Sequence, residues 1–329
     1  MDGDAGRPGP VDGAPAPADV LAAAARLRGI ARRTPLERSA WLSERLGRDV
    51  LLKLETHQRT GSFKLRGAYN AVALFPGEVR ERGLVTASAG NHGQGVALAA
   101  TLHGARSLVF VPRSAPMTKK RRIARFGAEV REVEGGYDAA HHAAEAHAAA
   151  TGAAFVHAFS DPAVVAGQGT VGLEILEDAP GVRTLVVPVG GGGLVGGMGI
   201  IARALSPGIR IVGVQTPETA AMHASFAAGR LASPPYGETV CEGLSGDVDE
   251  RSLALARAVV DGMVLVEEAA VRAAIRRLYE EEGVVAEGSA AVAVAALLEG
   301  AMGEVEGPVA AVLTGGNLDA GRLASLLAG

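Results

Sequence analysis

Nine short runs rich in valine, isoleucine and leucine punctuate this chain, at 50–55, 83–88, 107–112, 129–134, 154–159, 184–189, 210–215, 262–267 and 308–314. Longer alanine-rich amphipathic stretches, such as 93–104, 137–150 and 271–282, separate most of them. Strand signals that alternate with helix signals imply mostly parallel sheet covered by helices on both faces. Nine strands are many for one sheet, so the expected fold is α/β with two open, mostly parallel sheet domains. Residues 1–18, dominated by Gly, Pro, Ala and Asp, offer nothing to bury and read as a disordered tail. The charged run 113–126 is expected at a mobile surface.

Composition narrows the function. With 36 acidic against 32 basic side chains the net charge is −4, so no basic excess exists to neutralise a nucleic acid. A single cysteine, Cys241, excludes an internal disulfide framework and fits a reducing compartment. No stretch of about 20 apolar residues lacks a charge or a helix breaker, so no membrane span is expected. The acidic N-terminus is unlike a signal peptide. The cytoplasm is the expected location.

Four segments fall just past the ends of strand-like runs, where α/β sheets place ligands. The first is Thr60-Gly61-Ser62-Phe63-Lys64. The chain holds four lysines, Lys53, Lys64, Lys119 and Lys120, and its other 28 basic residues are arginines. An arginine cannot stand in where a neutral amine must form an imine. Read alone, Lys64 is equally a solvated helix residue, and Lys119-Lys120 reads as a solvated face. The second segment is Ser88-Ala89-Gly90-Asn91-His92-Gly93-Gln94, at the start of a helix, where backbone N–H groups suit a carboxylate. The bland reading is a capped turn. The third, Gly190-Gly191-Gly192-Gly193-Leu194-Val195-Gly196-Gly197, follows a strand and exposes amides to a phosphate. The fourth begins Thr314-Gly315-Gly316-Asn317 and offers a hydroxyl to a heterocyclic nitrogen.

Two other classes compete. Gly191, Gly193 and Gly196 satisfy the dinucleotide fingerprint, which would make the protein a nicotinamide-dependent oxidoreductase. That reading wants an acidic residue about 20 positions on, at a strand end, where this chain has Gln215. A non-catalytic metabolite-binding protein could use the same anion loops, but it has no need of Lys64. His141, His142 and His147 share one alanine-rich stretch without a zinc-protease spacing and read as a surface face. His92 is expected to be placed by its loop. Tyr137, Trp41 and the phenylalanines other than Phe63 read as packing.

Taken in order, S-F-K-L-R-G-A, S-A-G-N-H-G-Q-G-V-A, A-G-Q-G-T-V-G-L-E-I-L, V-P-V-G-G-G-G-L and L-T-G-G-N-L-D resemble the fold-type II pyridoxal-phosphate enzymes. More closely, they resemble the threonine/serine dehydratase and serine racemase family. The resemblance runs from about Arg33 to Asp319. It implies a tryptophan-synthase-β-like arrangement, with 19–82 and 158–329 as a large cofactor-binding domain and 83–157 as a small one. It implies pyridoxal 5'-phosphate held by Lys64 as an imine, beside Phe63. Asn91 would meet the phenolic oxygen, Gly190, Gly191, Gly192, Gly193 and Leu194 the phosphate, and Thr314 the pyridine nitrogen. Ser88, Ala89, Gly90, Asn91 and His92 would hold the substrate carboxylate.

The implied reaction is dehydration and deamination of a small β-hydroxy amino acid, L-threonine or L-serine, to a 2-oxo acid and ammonia. Lys64 would act as base. Hydroxyaspartate ammonia-lyase and serine or hydroxyaspartate racemase activity remain alternatives. Racemases of the family carry a second serine where this chain has Ala89, which argues for elimination. Relatives with a metal site carry Glu where this chain has Gln215, so no metal is expected. About ten residues follow Asp319, too few for a regulatory domain. A homodimer is implied by the resemblance alone.

Overall fold

The computed structural model describes residues 11–328. Among them, ten strands run in chain order: β1 (Leu36–Arg38), β2 (Val50–Leu54), β3 (Leu84–Ala87), β4 (Ser107–Pro112), β5 (Glu129–Val133), β6 (Ala154–Phe155), β7 (Thr184–Pro188), β8 (Arg210–Gln215), β9 (Gly262–Leu265) and β10 (Val309–Leu313). Six of them form one sheet in the order β1-β2-β10-β7-β8-β9, parallel except for β1, which runs antiparallel to β2. The other four form a wholly parallel sheet in the order β5-β4-β3-β6. The chain therefore leaves the larger sheet after β2, builds the smaller one, and returns at β7.

Burial on both faces explains the apolar runs. β10, Val-Ala-Ala-Val-Leu, lies between β2 and β7 and is buried at every position. Alternate residues of β7 feed different cores. Leu185 and Val187 pack with the helices Pro162–Asp178 and Gly193–Leu205. Val186 packs with Glu268–Glu282 and Gly288–Leu298 on the opposite face. Each such fully buried Val or Leu contributes about 1.5–3 kcal/mol relative to exposure.

Four sequence expectations change. Residues 1–10 of the expected tail lie outside the described residues, but Ala14 packs on the core and a helix, Pro17–Leu27, starts within the span expected to be disordered. Proline at its first turn and Asp19, whose carboxylate accepts from Ala16 N at 2.8 Å, stabilise that start. Part of the charged run 113–126 forms the helix Met117–Arg125, which buries Ile123. Lys120, expected on a solvated face, is buried and donates to Arg113 O (2.8 Å) and pairs with Glu132 (2.9 Å). The strand expected over 154–159 pairs only as Ala154–Phe155. Beyond it the chain turns, because amides of Phe159 and Ser160 donate to the His157 ring instead of to a ladder.

One buried cluster ties the larger sheet to the helix Lys64–Leu74. The Arg66 guanidinium donates to both Glu55 oxygens (2.9 and 2.7 Å) and both Glu174 oxygens (2.6 and 2.9 Å). Lys53 donates to Glu174 (2.6 Å) and to Thr34 O (2.8 Å). Arg66, Glu55 and Lys53 are essentially inaccessible to solvent. Burial opposes the Glu55 charge, but Arg66 outweighs it and holds the carboxyl below the usual range. Replacing Arg66 by Met should therefore cost about 3–5 kcal/mol at neutral pH, because it strands the Glu55 charge. A depressed carboxyl contributes its stability above the unfolded value near ~4.3 and loses it as pH falls through the folded one. The gap in urea midpoint between wild type and Arg66→Met should accordingly narrow on acidification. An equal gap at pH 7 and pH 4 would show that Glu55 is not the group left unpaired.

Candidate active site

The carboxyl ends of β3 and β7 open onto one cavity of about 800 Å³. Every site residue named from the sequence lines it: Phe63, Lys64, Ser88, Ala89, Gly90, Asn91, His92, Gly190, Gly191, Gly192, Gly193, Leu194 and Thr314. Lys64 is the first residue of the helix Lys64–Leu74, and the turn before it is pinned to the end of β10. Phe63 N donates to Thr314 O (3.1 Å), and Ser62 bridges to Gly315. The Lys64 Nζ donates to Ala158 O at 2.9 Å and lies 5.3 Å from the centroid of the Phe63 ring. Burial lowers its pKa to about 8, so a substantial fraction is a neutral amine near physiological pH.

The loop after β3 is held locally. Ser88 Oγ accepts from Gly90 N (3.2 Å), and Asn91 starts the helix Asn91–Leu102. Asn91 is fixed at both ends of its amide, donating to Glu287 Oε1 (2.6 Å) and accepting from Asn317 Nδ2 (2.7 Å). Asn317 also donates to Thr60 O (2.8 Å), which joins this loop to the turn before Lys64. Glu287 is a buried cavity-lining carboxyl whose pKa burial raises. No local motif marks it, and the sequence reading missed it. His92 donates through Nε2 to Val156 O (3.0 Å), and burial pushes its pKa down to about 3, so it stays neutral.

The glycine loop is tight on the protein side as well as open to the cavity. A Cβ at Gly191 would lie 2.5 Å from the Phe159 ring, and one at Gly193 the same distance from Phe159 O. One at Gly190 would lie 3.2 Å from Leu244 Cα. Gly192, at φ +90°, would drive a Cβ to 2.7 Å from Met222 Cε. A side chain there meets Met222 rather than a cavity ligand. The helix Gly193–Leu205 begins within this loop, so its first amides add their partial positive charge. Thr314 Oγ1 lies 3.3 Å from Ser289 O, a long bond that hydroxyl rotation can exchange for a ligand.

Tyr137, His141 and His142, read from the sequence as packing and surface, line the same cavity together with His157. The start of the helix Tyr137–Thr151 faces the cavity, a placement that depends on tertiary packing and leaves no periodic signal. At the mouth, Lys119 and Arg322 both pair with Glu242, and Thr118 donates to Asp319 (3.1 Å). The helix Met117–Arg125 is thereby joined to the far rim. Gln215 is buried away from these groups, donating to Thr219 O and accepting from His223 N (2.7 Å). No cluster of three or more metal-ligating side chains occurs among the described residues.

A buried amine facing a cradle of glycine amides, in a two-sheet α/β fold, defines an enzyme class that holds a phosphate-bearing aldehyde cofactor covalently. The cavity fits such a group, since the cradle presents no Cβ atoms and Lys64 can be neutral. This chain belongs to the family of pyridoxal-phosphate dependent enzymes, whose family model matches residues 27–315. It is 45% identical to the L-threonine ammonia-lyase of Thermotoga maritima over 307 residues, 92% of this chain and 75% of that one. Among solved structures, maize serine racemase superposes with a TM-score of 0.90 at 30% identity, covering 95% of this chain and 96% of that one. The processed threonine deaminase isoform 2 of Solanum lycopersicum superposes at 0.89 with 34% identity, covering 95% and 92%.

Gly191→Ala should lower both stability and affinity for pyridoxal phosphate, because its methyl can be admitted only if the Phe159 ring moves. The cost expected is about 1–3 kcal/mol in urea unfolding, with weaker binding in a cofactor titration. Phe159→Leu in the same chain should restore part of the affinity. Unchanged affinity in Gly191→Ala would show that the cradle tolerates what the packing forbids.

Proposed function

We propose that this protein converts a small β-hydroxy amino acid, L-threonine and also L-serine, to a 2-oxo acid and ammonia. The observation that carries the reading is the buried Lys64 amine in one cavity with the glycine loop 190–194. The names of relatives spanning most of the chain support it: L-threonine ammonia-lyase in Thermotoga maritima, and threonine deaminase in Solanum lycopersicum. When bound, pyridoxal phosphate supplies the electron sink that makes the substrate's Cα proton removable. The amides of Gly190, Gly191, Gly192, Gly193 and Leu194 would hold its phosphate. Asn91, locked by Glu287 and Asn317, would meet the phenolic oxygen, and Thr314 the ring nitrogen. The loop 88–92 would take the substrate carboxylate on backbone amides.

Lys64 does the proton work. Its neutral Nζ takes the Cα proton as general base, and burial is what makes a neutral amine available at that position. The carbonyl of Ala158 accepts from Nζ and aims it. A homodimer, which rests on the family resemblance, and a cytoplasmic location, which rests on the single cysteine and the character of the N-terminus, complete the proposal.

The likeness to maize serine racemase raises racemisation as a second reading. Reprotonation from the face opposite Lys64 needs an acid there. Ala89 supplies only a methyl group, which can neither give nor take a proton.

Lys64→Ala should lose the visible absorbance of the loaded protein and all release of 2-oxo acid from L-threonine and L-serine. An Ala variant with wild-type turnover would overturn the role given to Lys64. Capture of added cofactor by the apoprotein should rise about tenfold per pH unit below pH 8 and level off above it, as Lys64 becomes neutral. A flat profile from pH 6 to 9 would be inconsistent with attack by this amine. Incubated L-serine should yield pyruvate with little D-serine by chiral chromatography, and Ala89→Ser should raise the D-serine fraction. Abundant D-serine from the wild type would move the racemase reading ahead.

A further inference from the structure

We propose that His157 recognises the leaving group: its Nε2–H donates a hydrogen bond to the β-oxygen of the substrate. The proposal rests on the β-hydroxy amino acid reading above and assigns a residue that the reading leaves out.

The ring's proton position follows from its partners. Amides of Phe159 (3.3 Å) and Ser160 (3.1 Å) donate to His157 Nδ1, and Ser160 Oγ lies 3.1 Å from the same atom. An atom that accepts from two N–H groups carries no proton, so the neutral ring carries its proton on Nε2. The ring also cannot swing freely. It stands edge-on to Phe159 (4.7 Å between centroids, 75°), to Phe155 (6.2 Å, 62°) and to His141 (6.3 Å, 84°). His157 lines the cavity, and its hydrogen bonds among the described residues are all made at Nδ1, which leaves Nε2 without one. A donor of fixed direction is thus left for whatever enters.

Position selects the ligand atom. His157 and Lys64 line the same cavity and feel each other's charge, and the carbonyl of Ala158, next to His157, accepts from Lys64 Nζ. The glycine loop answers a phosphate and the loop 88–92 a carboxylate. The other imidazole near Lys64, His92, spends its Nε2–H on Val156 O. What remains near Lys64 for a neutral N–H donor is the substituent on the β-carbon. His157 is not an acid in this scheme. Protonating Nδ1 would break its two amide bonds, and surrendering the Nε2 proton would leave an imidazolate. The bonds made and broken are those of the elimination alone: Lys64 Nζ takes the Cα proton, the Cβ–O bond breaks, and the departing hydroxide takes up that proton from Nζ and leaves as water. His157 keeps its proton and stabilises the charge that builds on the departing oxygen.

The test compares leaving groups on the loaded enzyme. His157→Asn keeps an acceptor where Nδ1 stood, for the amides of Phe159 and Ser160, but has no donor at the Nε2 position. Its kcat/KM on L-threonine and L-serine should fall about a hundredfold, the scale of losing one oxyanion donor. On β-chloro-L-alanine, whose chloride departs without such a bond, it should stay within about threefold of wild type. His157→Gln, whose amide N–H reaches toward the Nε2 position, should recover part of the loss on the hydroxy substrates only. Equal losses on all three substrates, or none on L-threonine, would overturn the assignment. So would an Asn variant that no longer binds the cofactor, since the proposal gives Nε2 no structural duty. Failure of the dehydratase reading looks different: the wild type would then release no 2-oxo acid from either hydroxy amino acid.

Discussion

The structure turns on Arg66. Its guanidinium sits two residues from Lys64, out of reach of water, with both nitrogens of its fork and its Nε bound to carboxylates. Glu55 follows β2, Arg66 belongs to the helix that carries Lys64, and Glu174 to the helix Pro162–Asp178, so three elements meet in one ion cluster. Taking such charges out of water costs several kcal/mol per ion, and apolar residues of similar volume could pack as stably. What apolar packing lacks is direction. A bidentate guanidinium fixes the rotation of its helix about the axis, and that rotation decides where the Lys64 amine points. The same helices approach closely at small residues. Gly67 N donates to Gln168 Oε1 (3.1 Å), and a Cβ at Gly167 would lie 2.6 Å from Arg66 O.

Against that anchor, the glycine loop solves two problems at once. Open amides suit a phosphate, which is the reason the sequence offers for four successive glycines. The packing supplies a second reason on the other side of the backbone. Phe159 and Met222 lie where Cβ atoms would project, and the backbone of Leu244 closes on Gly190. A dinucleotide fold needs its glycines for a turn and for a helix–strand crossing. Here they let the segment after β6, with His157 and Ala158, come close to the phosphate cradle. The cradle and the groups around Lys64 are therefore built by one contact.

The sequence shows its regular elements well and its tertiary placements poorly. The β10 run Val-Ala-Ala-Val-Leu and the β7 run Thr-Leu-Val-Val-Pro read as strands because burial on both faces leaves only apolar residues. Lys64, Asn91, the glycine loop and Thr314 were legible because each stands in a short motif at the end of such a run. β1 was not, since Leu-Glu-Arg pairs antiparallel at an edge and carries no apolar pattern. Nor was the helix Met117–Arg125, where charged residues conceal a buried Ile123 and an ammonium bonded to a backbone carbonyl. Glu287, Tyr137 and His141 reach the cavity from elements whose own sequences point nowhere in particular. Their positions are properties of the packing of helices against two sheets.

That distribution has an electrostatic logic. Inside the cavity, burial works against charge on the amine and on three groups near it. It lowers Lys64, lowers His92 and His157, and raises Glu287. Permanent charges gather where one carboxylate, Glu242, pairs with both Lys119 and Arg322. A phosphate and a carboxylate entering this space meet amide dipoles, whose partial positive charge offsets part of the pull that two anions exert on a proton at Lys64. A cavity lined with arginine would bind both anions more tightly and would also depress the amine's pKa further by repulsion, weakening it as a base. Backbone amides give anion binding without that penalty, because their partial charges are short-ranged and aimed at the ligand. Anion binding by backbone amides is thus what lets one fold hold two anions without setting an arginine beside an amine whose pKa burial has already lowered to about 8.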